Sequence, residues 1–167
     1  VHAKADEGRL YVIKVVDLSK LCKKEGENAM EEVRLLASFD HPNIVKYSDS
    51  FVASGKLHIV MDYADCGDLR SVLKEYKSQA RTLREEQLVD YFHQLCRAMQ
   101  YIHKRKVLHR DLKPENIFLT EHRRVLKVGD FGLARALEHS YDLATSKVGT
   151  PYYMSPEILN DTPYNSK

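Results

Sequence analysis

No run of apolar residues in this 167-residue chain approaches the roughly 20 needed to cross a bilayer, and the N-terminus carries no signal-peptide pattern. No membrane partner is therefore expected. Cysteine is scarce: Cys22, Cys66 and Cys96 lie far apart, are odd in number and lack Cys-x-x-Cys spacing. That speaks against a zinc site or a disulfide framework and for reduced thiols in an intracellular protein. The 8 histidines show neither His-Glu-x-x-His nor paired spacing, so histidine ligation of a metal is not expected. An excess of one charge is also missing. The formal net charge of +2 is too small to argue for nucleic acid or an anionic surface. Internal repeats and low-complexity segments are absent, and so is an initiating methionine; a start at Val1 suggests an excised or incomplete piece. What remains is ordinary for a soluble globular domain: 43% hydrophobic and 30% charged residues, in a chain long enough to bury a core of its own.

The chain opens with an alternating, β-branched stretch from Arg9 to Leu18, which predicts a strand. A period of two puts Val12 and Lys14 on one face, an apolar roof beside an ammonium, which suits a nucleotide base and its phosphates. A solvated lysine on a strand edge is the plainer alternative. Asn28 to Phe39 has helical periodicity with Ala29, Val33, Leu36 and Ala37 in one stripe. Glu32 falls on the rim of that stripe and Glu31 nearly opposite, so Glu32 should turn inward and need a cation such as Lys14. The helix must stop before His41-Pro42. Two strands follow between Ile44 and Tyr63, joined at Ala53-Ser54-Gly55-Lys56. The polar stretch Asp62 to Gly67 reads as a hinge, and Asp68 as the N-cap of a short helix from Leu69.

Lys74 to Arg81 reads as a polar connection. Thr82-Leu83-Arg84-Glu85 has capping-box spacing ahead of a long helix to about Lys106, with Leu88, Phe92, Leu95, Cys96, Met99 and Ile102 as its apolar stripe. The basic run Lys104-Arg105-Lys106 fits the negative end of that helix better than a nucleic-acid patch. A dense polar loop, Val107-Leu108-His109-Arg110-Asp111-Leu112-Lys113-Pro114-Glu115-Asn116, then leads into the strand Ile117 to Thr120. A hairpin around Glu121 to Arg124 leads to Gly129-Asp130-Phe131-Gly132, and so sets Asn116 and Asp130 at neighbouring ends close to Asp111. Ala136 to Val148 is hydroxyl-rich and aperiodic, the character of a functional loop. Ser155-Pro156-Glu157 opens a last helix, with serine as cap and proline at its first position.

In that order and spacing, strand lysine, helical glutamate, His-Arg-Asp loop, Asp-Phe-Gly turn and Gly-Thr-Pro to Pro-Glu segment resemble the eukaryotic protein kinase catalytic domain over essentially the whole chain. Lys113 is the serine/threonine-kinase form of its loop. Gly149-Thr150-Pro151-Tyr152-Tyr153-Met154-Ser155-Pro156-Glu157, Phe118 and Met61-Asp62-Tyr63 resemble the NIMA-related kinases. The resemblance implies an α+β, two-lobed kinase-like fold, truncated at both ends. Residues 1–61 would be a partial small lobe, 62–67 the hinge and 68–167 a partial large lobe. It also implies ATP and Mg²⁺ as cofactors and proteins with serine or threonine acceptors as partners.

The resemblance gives Lys14 the α- and β-phosphates, with Glu32 orienting it, and gives Asp130 and Asn116 the Mg²⁺ ions. Asp111 would accept the acceptor's hydroxyl proton and Lys113 would neutralise the transferring phosphoryl group. Val12 and Phe118 would sandwich the adenine, backbone groups of Asp62 and Ala64 would meet its edge, Met61 would guard the space behind it, and Asp68 would join the nucleotide site. Leu36, Leu57, His109 and Phe131 would stack as an apolar column, with His109 a packed residue rather than a proton shuttle. Thr150 would bond Asp111 and Lys113. Among Ser140, Tyr141, Thr145 and Ser146, Ser146 aligns with the activating phosphorylation site, paired with Arg110 and modified by an upstream kinase or by autophosphorylation. Leu133 favours serine over threonine as acceptor. A cytoplasmic, cytoskeleton-associated location (microtubule, centrosome or cilium) follows from the same family.

No Gly-x-Gly-x-x-Gly precedes Lys14; the only upstream glycine is Gly8, at an apparent turn between strands. The glycine-rich loop is therefore expected ahead of Val1 and the remaining large-lobe helices beyond Lys167. Such a piece should expose core surface and be poorly soluble or inactive alone. A catalytically silent pseudokinase, acting as a nucleotide-binding or scaffolding module, is the alternative function. It predicts loss of Lys14, Asp111, Asn116 or Asp130, and all four are present.

Overall fold

Arg9–Asp17 forms strand β2, as its alternation predicts, inside an antiparallel sheet of order β1-β2-β4-β3. The computed structural model describes residues 2–6, 9–132, 134–136, 144 and 149–165. The other strands of the sheet are β1 (His2–Asp6), β3 (Tyr47–Ala53) and β4 (Lys56–Asp62). The register sets Val12 opposite Met61 and Lys14 opposite Ile59, so these four side chains share one face. Ser54 and Gly55 join β3 to β4 with φ of 49° and 71°, the left-handed pair that suits a two-residue hairpin.

Helix α1 covers Lys23–Ser38 and so starts well before the Asn28 expected from periodicity. Gly26 disguises the first turns by its poor helix propensity. The Cys22 N–H donates to Glu25 Oε2 at 2.8 Å, which satisfies a donor at the helix start. Glu32, Val33, Leu35 and Leu36 are buried, whereas Ala37 is exposed. Ala37 follows Leu36 by about 100° of helix and turns out of the stripe.

The large lobe departs more from expectation. Asp68 caps helix α2 (Leu69–Ser78), its Oδ1 accepting from the Ser71 N–H at 2.8 Å and its Oδ2 from the Ser71 hydroxyl at 2.7 Å. Lys74 to Ser78 is thus helix and not connection, because Val72 and Tyr76 keep one side against the core. Helix α3 covers Glu85–Lys104, and Glu85 is itself the first helical residue. The Thr82–Glu85 capping box is not formed; Arg84 stands at the cap without a side-chain bond.

Helix α3 buries Tyr91, Ala98 and Ile102, with Leu95 and Met99 beside them. Leu88 and Phe92 are 49% and 68% exposed, and Cys96 is exposed as well. Polar bonds, not apolar count, set this rotation. The Tyr91 hydroxyl donates to Arg123 O at 2.6 Å, and Gln94 Oε1 accepts from the Leu126 N–H and from Asn43 Nδ2, both at 2.8 Å. The basic run at the helix end divides: Lys104 is exposed, while the Arg105 guanidinium lies 3.6 Å from the centre of the Tyr101 ring.

Beyond α3 come β5 (Val107–Leu108), the hairpin β6 (Ile117–Thr120) and β7 (Val125–Val128), β8 (Arg135–Ala136) and α4 (Pro156–Leu159). Ser155 precedes α4 without a side-chain cap bond, and proline holds its first turn. The sheet with α1 and the helical part with its hairpin form the two lobes of an α+β fold. Backbone bonds join them on both sides of the hairpin. Val45 N–H donates to Val128 O at 2.9 Å and Val128 N–H to Asn43 O at 2.8 Å; Cys66 N–H donates to Leu119 O at 3.0 Å and Leu119 N–H to Gly67 O at 2.9 Å. Among the described residues, no helix is long and apolar enough to cross a membrane.

Candidate active site

Between sheet and hairpin lies a cleft of about 470 Å³. Its roof is Val12, Lys14 and Met61; its floor is Phe118, Asn116 and Asp130; Asp62, Ala64 and Asp68 edge it. The expected nucleotide residues therefore come together. The Asp62 N–H donates to Lys46 O at 2.9 Å. Val45, Tyr63, Glu115 and Gly129 also line the cleft and were not expected. Val45 lies just before β3 in a short apolar stretch with no periodic signal. Gly129 is dictated by space: a Cβ there would stand 2.9 Å from both Phe118 Cε2 and Val45 Cγ2.

The Lys14 ammonium bridges two carboxylates, at 2.7 Å from Glu32 Oε1 and 3.0 Å from Asp130 Oδ1. Glu32 is buried at 7% exposure, as its inward rim position requires, while Asp130 is 48% exposed. Burial alone would lower the Lys14 pKa, but the Glu32 and Asp130 charges and hydrogen bonds outweigh it and hold the ammonium above its usual value. Asp130 has φ of 55°, a left-handed conformation in which the following Phe131 packs inward at 1% exposure. Phe131, Leu36, Leu57 and His109 are all buried, and the His109 and Phe131 ring centres are 4.8 Å apart.

Around Asp111 the hydrogen bonds close a ring. Thr150 Oγ1 donates to Asp111 Oδ1 at 2.7 Å, Lys113 Nζ donates to Thr150 Oγ1 at 2.6 Å, and Lys113 Nζ is 2.8 Å from Asp111 Oδ2. Asn116 Nδ2 donates to the Asp111 carbonyl at 2.8 Å and to Oδ2 at 2.9 Å. Burial pushes the Asp111 pKa upward, but bonds from Lys113, Thr150 and Asn116 prevail and keep this carboxyl below its usual range. Arg110 is half-buried with φ of 66°. Gly149, at φ 124°, passes so close that a Cβ there would stand 2.6 Å from Arg110 O. Thr145 and Ser146 lie outside the described residues, as do Ser140, Tyr141, Leu133 and Gly8.

His109 is a packed residue, 2% exposed, with Nε2 3.1 Å from Gly129 O and Nδ1 accepting from the Asp111 N–H at 3.3 Å. Burial pushes its pKa down. His41 and His103 are shifted the same way, chiefly by burial. In the unfolded chain these imidazoles bind protons near pH 6.5, where the folded state does not. Below that pH the unfolded state holds more protons, so stability falls as pH falls toward the folded pKa values. The unfolding midpoint is expected to drop between pH 7 and pH 5 (roughly the span of an ordinary histidine titration). Thermal melts that coincide across this interval would contradict it.

The donors near Asp130 suit a hard divalent cation. Asp130 offers an exposed carboxylate, and the amide nitrogen of Asn116 is tied to Asp111, which leaves Asn116 Oδ1 as its ligating atom. Among the described residues, no group of three or more His, Cys, Asp or Glu side chains gathers as a protein-only cage. Two oxygen ligands completed by phosphate and water are the pattern of Mg²⁺ at a nucleotide.

The chain matches the protein kinase domain family over residues 1–167. It is 47% identical over 163 residues to Serine/threonine-protein kinase Nek1 of Mus musculus, covering 97% of this chain and 13% of that protein. It is 46% identical to Serine/threonine-protein kinase Nek4 of Mus musculus, covering 96% of this chain and 20% of that protein. For Serine/threonine-protein kinase Nek5 of Homo sapiens the identity is also 46%, over 93% of this chain and 22% of that protein. The chain thus spans about a fifth or less of the length of these relatives. On the matched domain and these relatives, it belongs to the protein kinase family and is similar to its NIMA-related serine/threonine branch.

Proposed function

We propose that the protein is an ATP-dependent serine/threonine kinase that transfers the γ-phosphate of Mg-ATP to protein hydroxyl groups. The observation that carries this reading is a pair of clusters joined through Asn116: Lys14 held between Glu32 and Asp130 in the cleft that Asn116 also lines, and Asp111 ringed by Lys113, Thr150 and Asn116. Phosphoryl transfer asks a protein for positioning and charge neutralisation more than for covalent chemistry. Val12, Met61, Val45 and Phe118 hold the adenine between apolar walls, and Lys14 takes the α- and β-phosphates. Asp130 and Asn116 hold Mg²⁺, which when bound neutralises phosphate charge. Asp111 aligns the acceptor hydroxyl and takes its proton. The acceptor oxygen forms its bond to the γ-phosphorus, the bond to the β–γ bridging oxygen breaks, and ADP leaves. Lys113 lies against the charge of the group in transit. Thr150 holds Asp111 and Lys113 in register from the opposite loop. Transfer of labelled γ-phosphate to casein, compared between the protein and its Asp111→Asn variant, tests the reading; equal transfer by both would end it.

Control by phosphorylation belongs to the same reading. A phosphate on Ser146, or on neighbouring Thr145, would meet the Arg110 cation and order the loop that carries Thr150. Ser146→Ala is expected to lower specific activity and to leave that loop more open to protease. Unchanged activity with unchanged cleavage would remove Ser146 from the scheme.

A further inference from the structure

Outside the cleft, three cations gather where the connection between α1 and β3 meets α3 and β7. Arg97 and Arg105 are exposed on α3 and at its end, and Lys127 is half-buried on β7. The Arg105 guanidinium lies on the Tyr101 ring, whose centre is 4.9 Å from that of His41. Lys127 Nζ donates to Pro42 O at 3.0 Å, and the Asp40 N–H donates to the Tyr101 hydroxyl oxygen at 2.8 Å. After burial, the charges of Arg97, Lys127 and Arg105 are what push the His41 pKa down, so all three act on one place.

The helix dipole accounts for a cation at the end of α3, but not for Arg97 two turns earlier or for Lys127 on a strand. Among the described residues, none of the three is in an ion pair. Asp40, next to His41 in the chain, is an acidic neighbour that the cations outnumber. Stacking on Tyr101 leaves Arg105 with its planar fork already oriented, and Lys127 keeps two of its three N–H donors after bonding Pro42. Arg97 and Arg105 lie about 12 Å apart along the helix axis. One phosphate cannot span that, whereas an extended peptide rising about 3.3 Å per residue spans it in four residues. Arg105 and His41 already occupy the Tyr101 ring, which takes the stacking face a nucleic-acid base would use.

We infer that this face docks an extended acidic segment of a partner protein, with carboxylates four residues apart on Arg97 and Arg105 and with Lys127 beside them. The inference goes beyond the kinase reading and does not depend on it. The test follows, by fluorescence anisotropy at low salt, the binding of short labelled peptides that carry glutamate at every fourth position, the same glutamates side by side, or glutamine in their place. The protein is expected to bind the spaced glutamate peptide about tenfold more tightly than the glutamine peptide, the scale of two exposed charge contacts. Arg97→Ala with Arg105→Ala is expected to erase that preference. Arg97→Glu with Arg105→Glu is expected to transfer it to the spaced peptide rebuilt with lysine, a reversal that loss of folding does not produce. A wild-type protein that does not distinguish glutamate from glutamine, or a preference for glutamate that both double variants retain, overturns the inference. Equal binding of the side-by-side peptide overturns it as well, and so does tighter binding of a single-stranded RNA of the same length through the same arginines.

Discussion

Asp111→Asn is expected to lower phosphate transfer by about 10²–10⁴-fold, the range for losing a positioned acid–base group. The amide conserves shape, so the effect should fall on kcat with little change in nucleotide affinity. The ring around residue 111 explains why the fold should survive. Asn116 bonds the Asp111 backbone carbonyl as well as its carboxylate, and Thr150 and Lys113 bond each other independently of it. The hydrogen bonds that hold the Asp111 carboxyl below its usual pKa also make it a weak base before an acceptor arrives. It should therefore act mainly by orienting the hydroxyl, and take the proton late, once the oxygen has begun to bond to phosphorus. The acid limb of the rate profile should then lie below the ordinary aspartate pKa of about 3.9. Full transfer by the asparagine variant would remove Asp111 from the chemistry.

Lys14→Met is expected to cost both activity and stability, through different partners. Loss of the ammonium would remove the phosphate contact proposed for it, worth roughly 10²–10³-fold in transfer by comparison with other preorganised charge-stabilising groups. It also strands Glu32, which is buried. Breaking a fully buried pair costs about 3–5 kcal/mol, and the part-exposed Lys14 brings the expectation here to about 2 kcal/mol. Replacing both, Lys14→Met with Glu32→Leu, should recover most of the stability and none of the transfer. Chemical denaturation of the two variants separates these effects. Equal stabilities would mean that Glu32 finds another cation.

The parts of the fold legible in the sequence are those where local pattern and tertiary role agree. Val12 and Lys14 alternate on β2 because the cleft needs both on one face, and Glu32 turns inward because helix geometry leaves it no other direction. Helix rotation was less legible. Leu88 and Phe92 satisfy a helical stripe, yet Tyr91 and Gln94 decide which way α3 faces, through bonds to a hairpin far along the chain. A periodicity count scores tyrosine and glutamine as neutral and cannot see their partners. The Thr82–Glu85 box failed for a related reason, since the right spacing does not fix where the first turn begins. In the cleft, Lys14, Glu32, Asn116 and Asp130 were legible from charge and motif order; Val45 and Gly129, defined by fit alone, were not, and neither were Tyr63 and Glu115, whose inward direction nothing local marks.

The two backbone seams have a mechanical meaning. Residues 43–45 are fastened to Val128, and the connecting stretch 66–67 to Leu119, so both attachments fall on the hairpin β6–β7. Two bodies pinned at two points keep one easy rotation, about the line through the pins, and resist sliding past each other. Phe118 and Asp130 travel with the pinned hairpin, and Val12 and Lys14 with the sheet. The two seams thus hold sheet and hairpin in register across the cleft, with the Lys14 ammonium 3.0 Å from Asp130 Oδ1.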